Sequence, residues 1–260
     1  MANDVRDDWE RHWGDYAASA SANPAQAYRR RLVLSLLDLP SQGARVLDIG
    51  SGLGDLVAEI AAACPGCELT GIELSRSGIE RSRSLVPAAT FLERDLLQPV
   101  ELDDPRRGWA THAVCSEVLE HVDDPVSLLA NARAYLAPNC RLVVTVPGGP
   151  MSAYDRHIGH RQSFTPRSLR EILTRAGFEV EDAMGAGFPF FDLYRLFVVL
   201  RGRRLITDVA GGVNAHPTGL ARLAMAAFGV LFRFNLRRSR FGWQMIGVAV
   251  ERGGPPGPTA

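Results

Sequence analysis

The chain has 260 residues, of which 46% are hydrophobic and 22% charged, and this composition is typical of a globular protein. Its 29 basic and 29 acidic side chains balance to a net charge of zero, so no basic footprint for nucleic acid is present. The first residues lack the charged start, apolar core and cleavage site of a signal peptide. We therefore expect a single domain that is cytoplasmic and does not bind nucleic acid.

Residues 1–43 are predicted to form an N-terminal helical cap. Trp9, Trp13 and Tyr16 fall on one face of an amphipathic helix, which we expect to close over the edge of a ligand site. The next helix carries Arg29 and Arg30. An arginine here either pairs with a ligand carboxylate or lies on a solvated helix face, and the sequence leaves both open.

A glycine-rich turn follows the first apolar strand, residues 46–49. Gly50, Gly52 and Gly54 lack Cβ where the backbone turns sharply and approaches a ligand, and the helix that follows presents unpaired N–H groups. This pattern predicts a nucleotide-like cofactor. Asp55 occupies the third glycine position of a dinucleotide fingerprint, and Asp48 places a carboxylate that would repel a pyrophosphate but attract a cation.

Further apolar segments recur at regular spacing and end on polar residues. The second ends on Glu73, the third on Asp95 and the fourth on Ser116, and the fifth, residues 141–146, is followed by a proline and two glycines. Residues 178–183 and 243–250 are predicted as the last two strands. Ligands of open α/β sheets bind at the carboxyl ends of strands, so these signals reinforce one another. We predict an α/β fold with a Rossmann-like seven-stranded, mostly parallel sheet and helices on both faces.

The D-x-G-x-G-x-G run at residues 48–54 resembles motif I of the class I S-adenosylmethionine-dependent methyltransferases, especially those of ubiquinone and menaquinone biosynthesis. The resemblance covers about residues 25–184 and implies S-adenosylmethionine as cofactor. It implies that Glu73 accepts from the ribose hydroxyls and Asp95 from the adenine amino group. The cofactor-binding residues it implies are Asp48, Gly50, Ser51, Gly52, Gly54, Glu73, Leu74, Asp95, Leu96, Ser116 and Glu117.

The segment after the fifth strand, residues 154–164, is polar and aromatic and is predicted to be an active-site loop. His157 and His160 are the candidate catalytic bases, because an imidazole near neutrality can take a proton from an acceptor hydroxyl. The alternative is that both merely hydrogen-bond to backbone. Next, Thr165 and Pro166 predict a helix start that leads to a stop at Gly177.

Glu117, Glu120 and His121 have the spacing i, i+3, i+4, which places them on one helix face if the segment is helical. The E-x-x-E-H pattern resembles the metal-binding triplet of ubiquinone-biosynthesis and small-RNA O-methyltransferases, with a downstream histidine as a further ligand. The same segment also resembles that of methyltransferases without a metal, where it serves packing. A divalent metal is therefore left open, and no residue is assigned as a metal ligand.

The four cysteines are predicted to be buried or incidental thiols. Cys64 and Cys67 follow the first helix of the sheet region, whereas a reactive thiolate favours a helix N-terminus. Cys115 and Cys140 do not supply the second close pair that a zinc site needs.

The predicted organisation is a cap over residues 1–43, a cofactor-binding core over 44–184, an apolar helical insertion over 185–242, a last strand over 243–251 and a disordered tail over 252–260. The insertion, between the sixth and seventh strands, is long for a connection. Its predicted roles are a lid over a lipophilic substrate, a homodimer surface, or an interfacial membrane patch assisted by arginines. Plain core packing is the alternative.

These features predict a methyltransferase that modifies O or C of a hydrophobic small-molecule or lipid-like acceptor. Peripheral membrane contact and a homodimer stay open. Two alternatives remain: a non-catalytic partner or regulatory subunit with this fold, and a nicotinamide-dependent oxidoreductase, which Asp48 and the missing third glycine disfavour.

Overall fold

The computed structural model describes residues 23–210 and 219–253. The aromatic face at Trp9, Trp13 and Tyr16 and most of the predicted tail lie outside these residues. In the described part, a seven-stranded sheet has the order β3-β2-β1-β4-β5-β7-β6, and only β7 runs antiparallel to its neighbours. The strands are β1 Arg45–Ile49, β2 Glu68–Glu73, β3 Thr90–Glu93, β4 Ala110–Ser116, β5 Leu136–Pro147, β6 Glu179–Ala186 and β7 Gln244–Val250. The predicted fold class is confirmed for the sheet.

The helices begin where the local sequence supplies caps. Asn23 accepts the N–H of Ala25 at the start of the first helix, and Thr165 with Pro166 opens the sixth, as predicted. Short 3₁₀ turns cover Leu119–His121, Arg133–Tyr135 and Phe232–Phe234. The helices are α1 Pro24–Leu37, α2 Asp55–Ala63, α3 Arg76–Leu85, α4 Pro125–Ala132, α5 Ala153–His157, α6 Pro166–Arg175, α7 Phe190–Ala210 and α8 Gly219–Leu231.

Both faces of the sheet are covered because successive strand side chains point to opposite sides. Leu47 and Ile49 of β1 pack in one core cluster with residues of α4 and α6. Val46 packs in the other, with residues of α1, α2 and α3. The parallel strands are thus sandwiched between helices, and their carboxyl ends form a common edge.

Two helices, α7 and α8, connect β6 to β7, and we call residues 187–243 the hairpin. β6 continues to Ala186, beyond the predicted start of the insertion at residue 185, because its last residues pair with the beginning of β7. Phe191 and Phe232 of the hairpin pack on Tyr28 of α1, with ring centroids 5.3 and 5.5 Å from the tyrosine ring. α7 bends at Gly202. Among the described residues, no helix is both long and apolar enough to cross a membrane.

The prediction of incidental thiols is wrong for one pair of cysteines. Cys64 and Cys67 form a disulfide. A turn closes directly after α2, where the N–H of Cys67 donates to the carbonyl of Cys64, and the two Cα atoms come to 5.5 Å, within the range that a disulfide bridges. Cys115 and Cys140 are buried free thiols.

Candidate cofactor and acceptor site

The glycine turn lies between the end of β1 and the start of α2. Gly50, Gly52 and Gly54 have φ angles of +74°, +54° and +82°, which are costly for residues with a Cβ. A Cβ on Gly50 would lie 2.5 Å from a methyl carbon of Val118. One on Gly54 would lie 2.8 Å from the hydroxyl of Ser82. The turn thus requires glycine both for its backbone conformation and for close packing against neighbouring elements.

Glu73 ties this turn to the end of β2. Its Oε2 accepts the N–H of Gly52 and its Oε1 accepts the N–H of Ser75, both at 2.9 Å. The side chain is buried. An ionised carboxylate has about four lone-pair sites, so acceptor capacity remains for a ligand. The predicted ribose-binding residue therefore also fixes the backbone of the glycine turn.

Asp48 is a second buried carboxylate, on β1. Burial, followed by the negative charge of Glu73, raises the pKa of Asp48 to about 7. A cation beside Asp48 would favour its ionised form and offset this cost. The site is therefore electrostatically suited to a positively charged ligand.

The remaining predicted cofactor residues lie along the same sheet edge. Asp95 follows β3, is half-buried, and accepts the N–H of Leu97 at 2.9 Å. Leu74 is exposed directly after β2, whereas Leu96 is buried in the core. Ser116 ends β4 and hydrogen-bonds to Thr145 of β5 at 2.8 Å, and the buried Ser51 lies in the glycine turn.

Glu117 is not part of a helix, which corrects the predicted shared face of Glu117, Glu120 and His121. Its φ of +58° is left-handed, and the 3₁₀ turn begins only at Leu119. The Glu117 carboxylate faces α1 and β7 instead. It pairs with Arg29 at 3.1 Å and accepts from Gln244 at 2.9 Å.

The two arginines of α1 do not lie on a solvated helix face, so that alternative is wrong. Arg29 is largely buried and pairs with Glu117, while Arg30 pairs with Glu59 of α2 at 2.6 Å. The sequence missed the first pairing because its partners are far apart in the chain and meet only when α1 crosses the sheet edge.

A buried acid–imidazole cluster lies beside Glu117. One ligand atom each from Glu120, His121 and His160 lies within 4.8 Å of the others. The two imidazole rings are perpendicular, with centroids 4.8 Å apart, and His160 Nε2 is 4.0 Å from Glu120 Oε1. Neither Glu120 oxygen accepts a hydrogen bond from the residues that the structure describes.

Burial dominates the titration of this cluster. It raises the pKa of Glu120 well above its usual value, and Glu117 raises it further. Burial, together with the charge of His121, lowers the pKa of His160 to about 3. At neutral pH the His160 imidazole is therefore uncharged and can offer a lone pair to a ligand.

The structure separates the two predicted catalytic histidines. His160 belongs to the cluster, whereas His157 is exposed at the end of α5. Asp155, two residues before His157, caps the start of α5 in a capping box with Ser152. The spacing Ser152-x-x-Asp155 is the sequence signal that could have identified this cap.

Asp155 also connects the loop to the hairpin. Arg195 of α7 donates to Oδ1 of Asp155 at 3.0 Å and to Oδ2 at 3.3 Å. Although burial opposes ionisation, Arg195 and the hydrogen bonds of Ser152 hold the pKa of Asp155 below its usual value. The hairpin is thus attached to the loop that carries His160.

Comparison with known proteins gives the family. A family model described as a methyltransferase domain matches residues 22–183, which include the glycine turn, the carboxylates and the cluster. The match ends before the hairpin. The comparisons give no support to an oxidoreductase.

Curated relatives carry methyltransferase names. The chain is 27% identical over 178 residues to a ubiquinone biosynthesis O-methyltransferase of Thiobacillus denitrificans, covering 60% of this chain and 74% of that protein. It is 30% identical over 187 residues to a trans-aconitate 2-methyltransferase of Paracidovorax citrulli, covering 70% and 65%. The chain spans only about half the length of some other curated relatives that it matches.

Solved structures share the fold. Phosphoethanolamine N-methyltransferase 2 of Haemonchus contortus, in complex with phosphomonomethylethanolamine and S-adenosylhomocysteine, has a TM-score of 0.63 at 17% identity, covering 95% of this chain and 59% of that one. Three observations point to the same family: the glycine turn, the buried carboxylates at the strand ends and the family match. The chain belongs to the methyltransferase-domain family and is a class I S-adenosylmethionine-dependent methyltransferase.

Proposed function

We propose that this methyltransferase transfers a methyl group to an oxygen or carbon atom of a hydrophobic small molecule. The observation that carries the proposal is the position of the acid–imidazole cluster. It lies past β4, beside Glu117, in a segment that Arg195 links to the largely apolar hairpin. An acceptor held there would lie between the cofactor edge and the hairpin. In-line methyl transfer depends mainly on such positioning and on the exclusion of water.

We assign the cofactor contacts as follows. Asp48 and Glu73 supply negative charge to the sulfonium, ammonium and ribose parts of S-adenosylmethionine, and Gly50 and Gly52 allow close backbone approach. Asp95 and the exposed Leu74 flank the adenine end. Ser116 and Glu117 border the methyl-donating end, where β4 stops.

His160 is the catalytic residue that we propose on the acceptor side. Its low pKa makes it a weak proton acceptor, so we assign it the role of orienting the acceptor through a neutral ring nitrogen. Glu120, 4.0 Å from His160, would then receive or share the acceptor proton. The exposed His157 lies outside this cluster, and we expect it to be dispensable.

The same cluster fits a divalent cation. One carboxylate and two imidazoles within 4.8 Å of one another form a mixed oxygen and nitrogen donor set that suits Mn²⁺, Fe²⁺ or Zn²⁺. Glu120, His121 and His160 would hold the ion, and Glu117, kept by Arg29 and Gln244, would not. A bound cation would lower the pKa of an acceptor hydroxyl.

Calorimetric titration of metal-stripped protein with Mn²⁺ and Zn²⁺ tests this cation site. We expect one site per chain that is lost in His160→Ala and retained in His157→Ala, a matched exposed histidine of the same loop. Equal binding by both variants would contradict the assignment. Absence of binding in wild type and both variants would rule out the cation site, and His160 would then have only the acceptor-orienting role.

The function is tested by methyl transfer itself. Protein is incubated with S-adenosylmethionine labelled in the methyl group and with a cell extract, and label is measured in the organic-solvent, aqueous and protein fractions. We expect label in the organic-solvent fraction, at least about 100-fold reduced in His160→Ala and unchanged in His157→Ala. Label confined to the aqueous or protein fraction would contradict the hydrophobic acceptor. Cofactor binding without transfer in any fraction would favour a non-catalytic partner.

A further inference from the structure

The hairpin exposes apolar side chains in two stripes. On α7, Leu193, Leu196, Phe197 and Leu200 recur at helical spacing and all are exposed. On α8, Leu223 and Val230 share a face that continues to the exposed Phe234. The helices pack together through Phe197 and Phe228, with ring centroids 6.2 Å apart. Of the fourteen large hydrophobic side chains exposed in the described residues, ten lie between positions 188 and 241.

The exposure of the α7 stripe contrasts with another apolar side chain of the same helix, which is fully buried. Phe191, two residues before Leu193 and on the opposite side of α7, packs on Tyr28 and Phe232 in the core that joins α1 to the hairpin. Phe191, on the inner side of α7, therefore already fills the core between α1 and the hairpin, and the stripe on the other side is not needed for that core. Contiguous exposed apolar area of this kind marks an interaction surface.

The exposed charged side chains described around the stripes are arginines. Arg222, Arg233, Arg237 and Arg240 are exposed on or next to the two helices. Among the described side chains of positions 188–241, the one carboxylate is Asp192, which is half-buried and accepts the N–H of Trp243 at 2.9 Å. The surface is apolar in its centre and basic at its margins.

We propose that the two hairpin stripes dock on an anionic membrane surface. Apolar side chains would enter the boundary between headgroups and acyl chains, and the arginines would pair with anionic headgroups. Charge favours this occupant over a second copy of the chain. Symmetric pairing of two hairpins would bring the arginines of both copies together, and the described side chains of positions 188–241 include no exposed carboxylate to neutralise them.

The docking would present the acceptor site to lipophilic molecules. α7 carries the exposed stripe on one side and, through Arg195, contacts Asp155 in the loop of His160 on the other. The proposal concerns membrane binding alone and stands even if the acceptor proves to be different. Vesicle binding and methyl transfer are separate measurements.

Sedimentation with vesicles tests the proposal on the full chain. Vesicles of phosphatidylcholine with 30% phosphatidylglycerol are compared with phosphatidylcholine alone, at low and high NaCl. We expect binding to the anionic vesicles that falls as salt rises. The double variant Leu200→Glu and Leu223→Glu should lose at least about tenfold in partition coefficient. Leu102→Glu, an exposed leucine in the connection between β3 and β4, is the matched control and should bind within about twofold of wild type.

A second pair of variants keeps the test valid if the leucine variant fails to fold. Arg233→Glu with Arg237→Glu should lower binding to anionic vesicles on the order of 25-fold, because each arginine near such a surface contributes about fivefold. Arg167→Glu, at an exposed arginine of α6, should not lower binding. Wild-type protein that binds neither vesicle, or leucine and arginine variants that bind as wild type does, would overturn the proposal. A wild-type dimer that becomes monomeric in Leu200→Glu with Leu223→Glu, without vesicle binding, would identify a self-association surface instead.

Discussion

The cofactor edge and the hairpin are built on different physical constraints. At the cofactor edge, backbone geometry dictates residue type: Gly50 must be glycine because its φ is positive and Val118 leaves no room for a Cβ. In the hairpin, burial depends on which side of a helix faces α1. Phe191 and Phe197 lie on one helix, yet the first is buried and the second is half exposed. In the cofactor edge, the role of each residue can therefore be predicted from the sequence. In the hairpin, the sequence predicts only that the segment is apolar, not which side chains are buried.

The largest expected effect separates the two sides of α7. Phe191→Ala should lower the free energy of unfolding by about 3–5 kcal/mol, because it opens a cavity among Tyr28 and Phe232. Phe197→Ala should cost only about 1 kcal/mol, since that residue is already half exposed and its described ring contact is with Phe228 of α8. Denaturant unfolding of both variants measures the difference. Equal losses would show that the two sides of α7 do not differ as described.

The glycine turn is tested by two alanine substitutions with similar backbone strain. Gly50→Ala should lower stability by about 2–4 kcal/mol and weaken cofactor binding at least about 100-fold, because left-handed strain and a clash with Val118 add. Gly43→Ala has a similar φ of +78° but open space around the new methyl group, and should cost about 1 kcal/mol. If the two variants behaved alike, packing would not matter at the turn. Thermal unfolding and calorimetry report both quantities.

Glu73→Ala should raise the Kd for S-adenosylmethionine by about 5–150-fold, which corresponds to about 1–3 kcal/mol for lost hydrogen bonds to a charged group. The substitution also leaves the N–H groups of Gly52 and Ser75 without the carboxylate oxygens to which they donate. Glu93→Ala is the control, because Glu93 pairs in register with Glu73 on the next strand but is exposed. Comparable loss in both variants would mean that general negative charge, and not the Glu73 contacts, governs binding.

Asp48 predicts a pH dependence. Its pKa of about 7 means that the carboxyl group is mostly protonated below that pH, whereas a cationic ligand selects the ionised form. The Kd for S-adenosylmethionine should therefore rise about tenfold per pH unit below about 7 and level off above it. In Asp48→Asn this dependence should disappear. A wild-type profile that is flat between pH 5.5 and 8 would contradict the role of Asp48.

The same raised pKa opposes stability in the free protein. Because folding raises the pKa of Asp48 from 3.8 to about 7, the native state holds the proton more tightly than the unfolded state does. Its contribution to stability is full below about pH 4 and is lost as pH rises to about 7. Asp48→Asn should therefore stabilise the unliganded protein at pH 8 while weakening cofactor binding.

Local patterns were sufficient to predict the sheet, the glycine turn and the start of α6 at Thr165, because each depends on neighbouring residues. The positions that escaped prediction depend on tertiary contacts or on one backbone angle. The left-handed φ of Glu117 removes it from the face of Glu120, and the loop that carries His160, 40 residues after Glu120, supplies the third member of the cluster. The Cys64–Cys67 disulfide similarly depends on the turn that follows α2.

The most direct test of the account is calorimetric titration of the purified chain with S-adenosylmethionine and, separately, with NADH. We expect micromolar binding of S-adenosylmethionine that Glu73→Ala weakens and Glu93→Ala does not, with no binding of NADH. Binding of NADH, or S-adenosylmethionine binding that Asp48→Asn and Glu73→Ala both leave unchanged, would contradict the assignment of this sheet edge as the cofactor site.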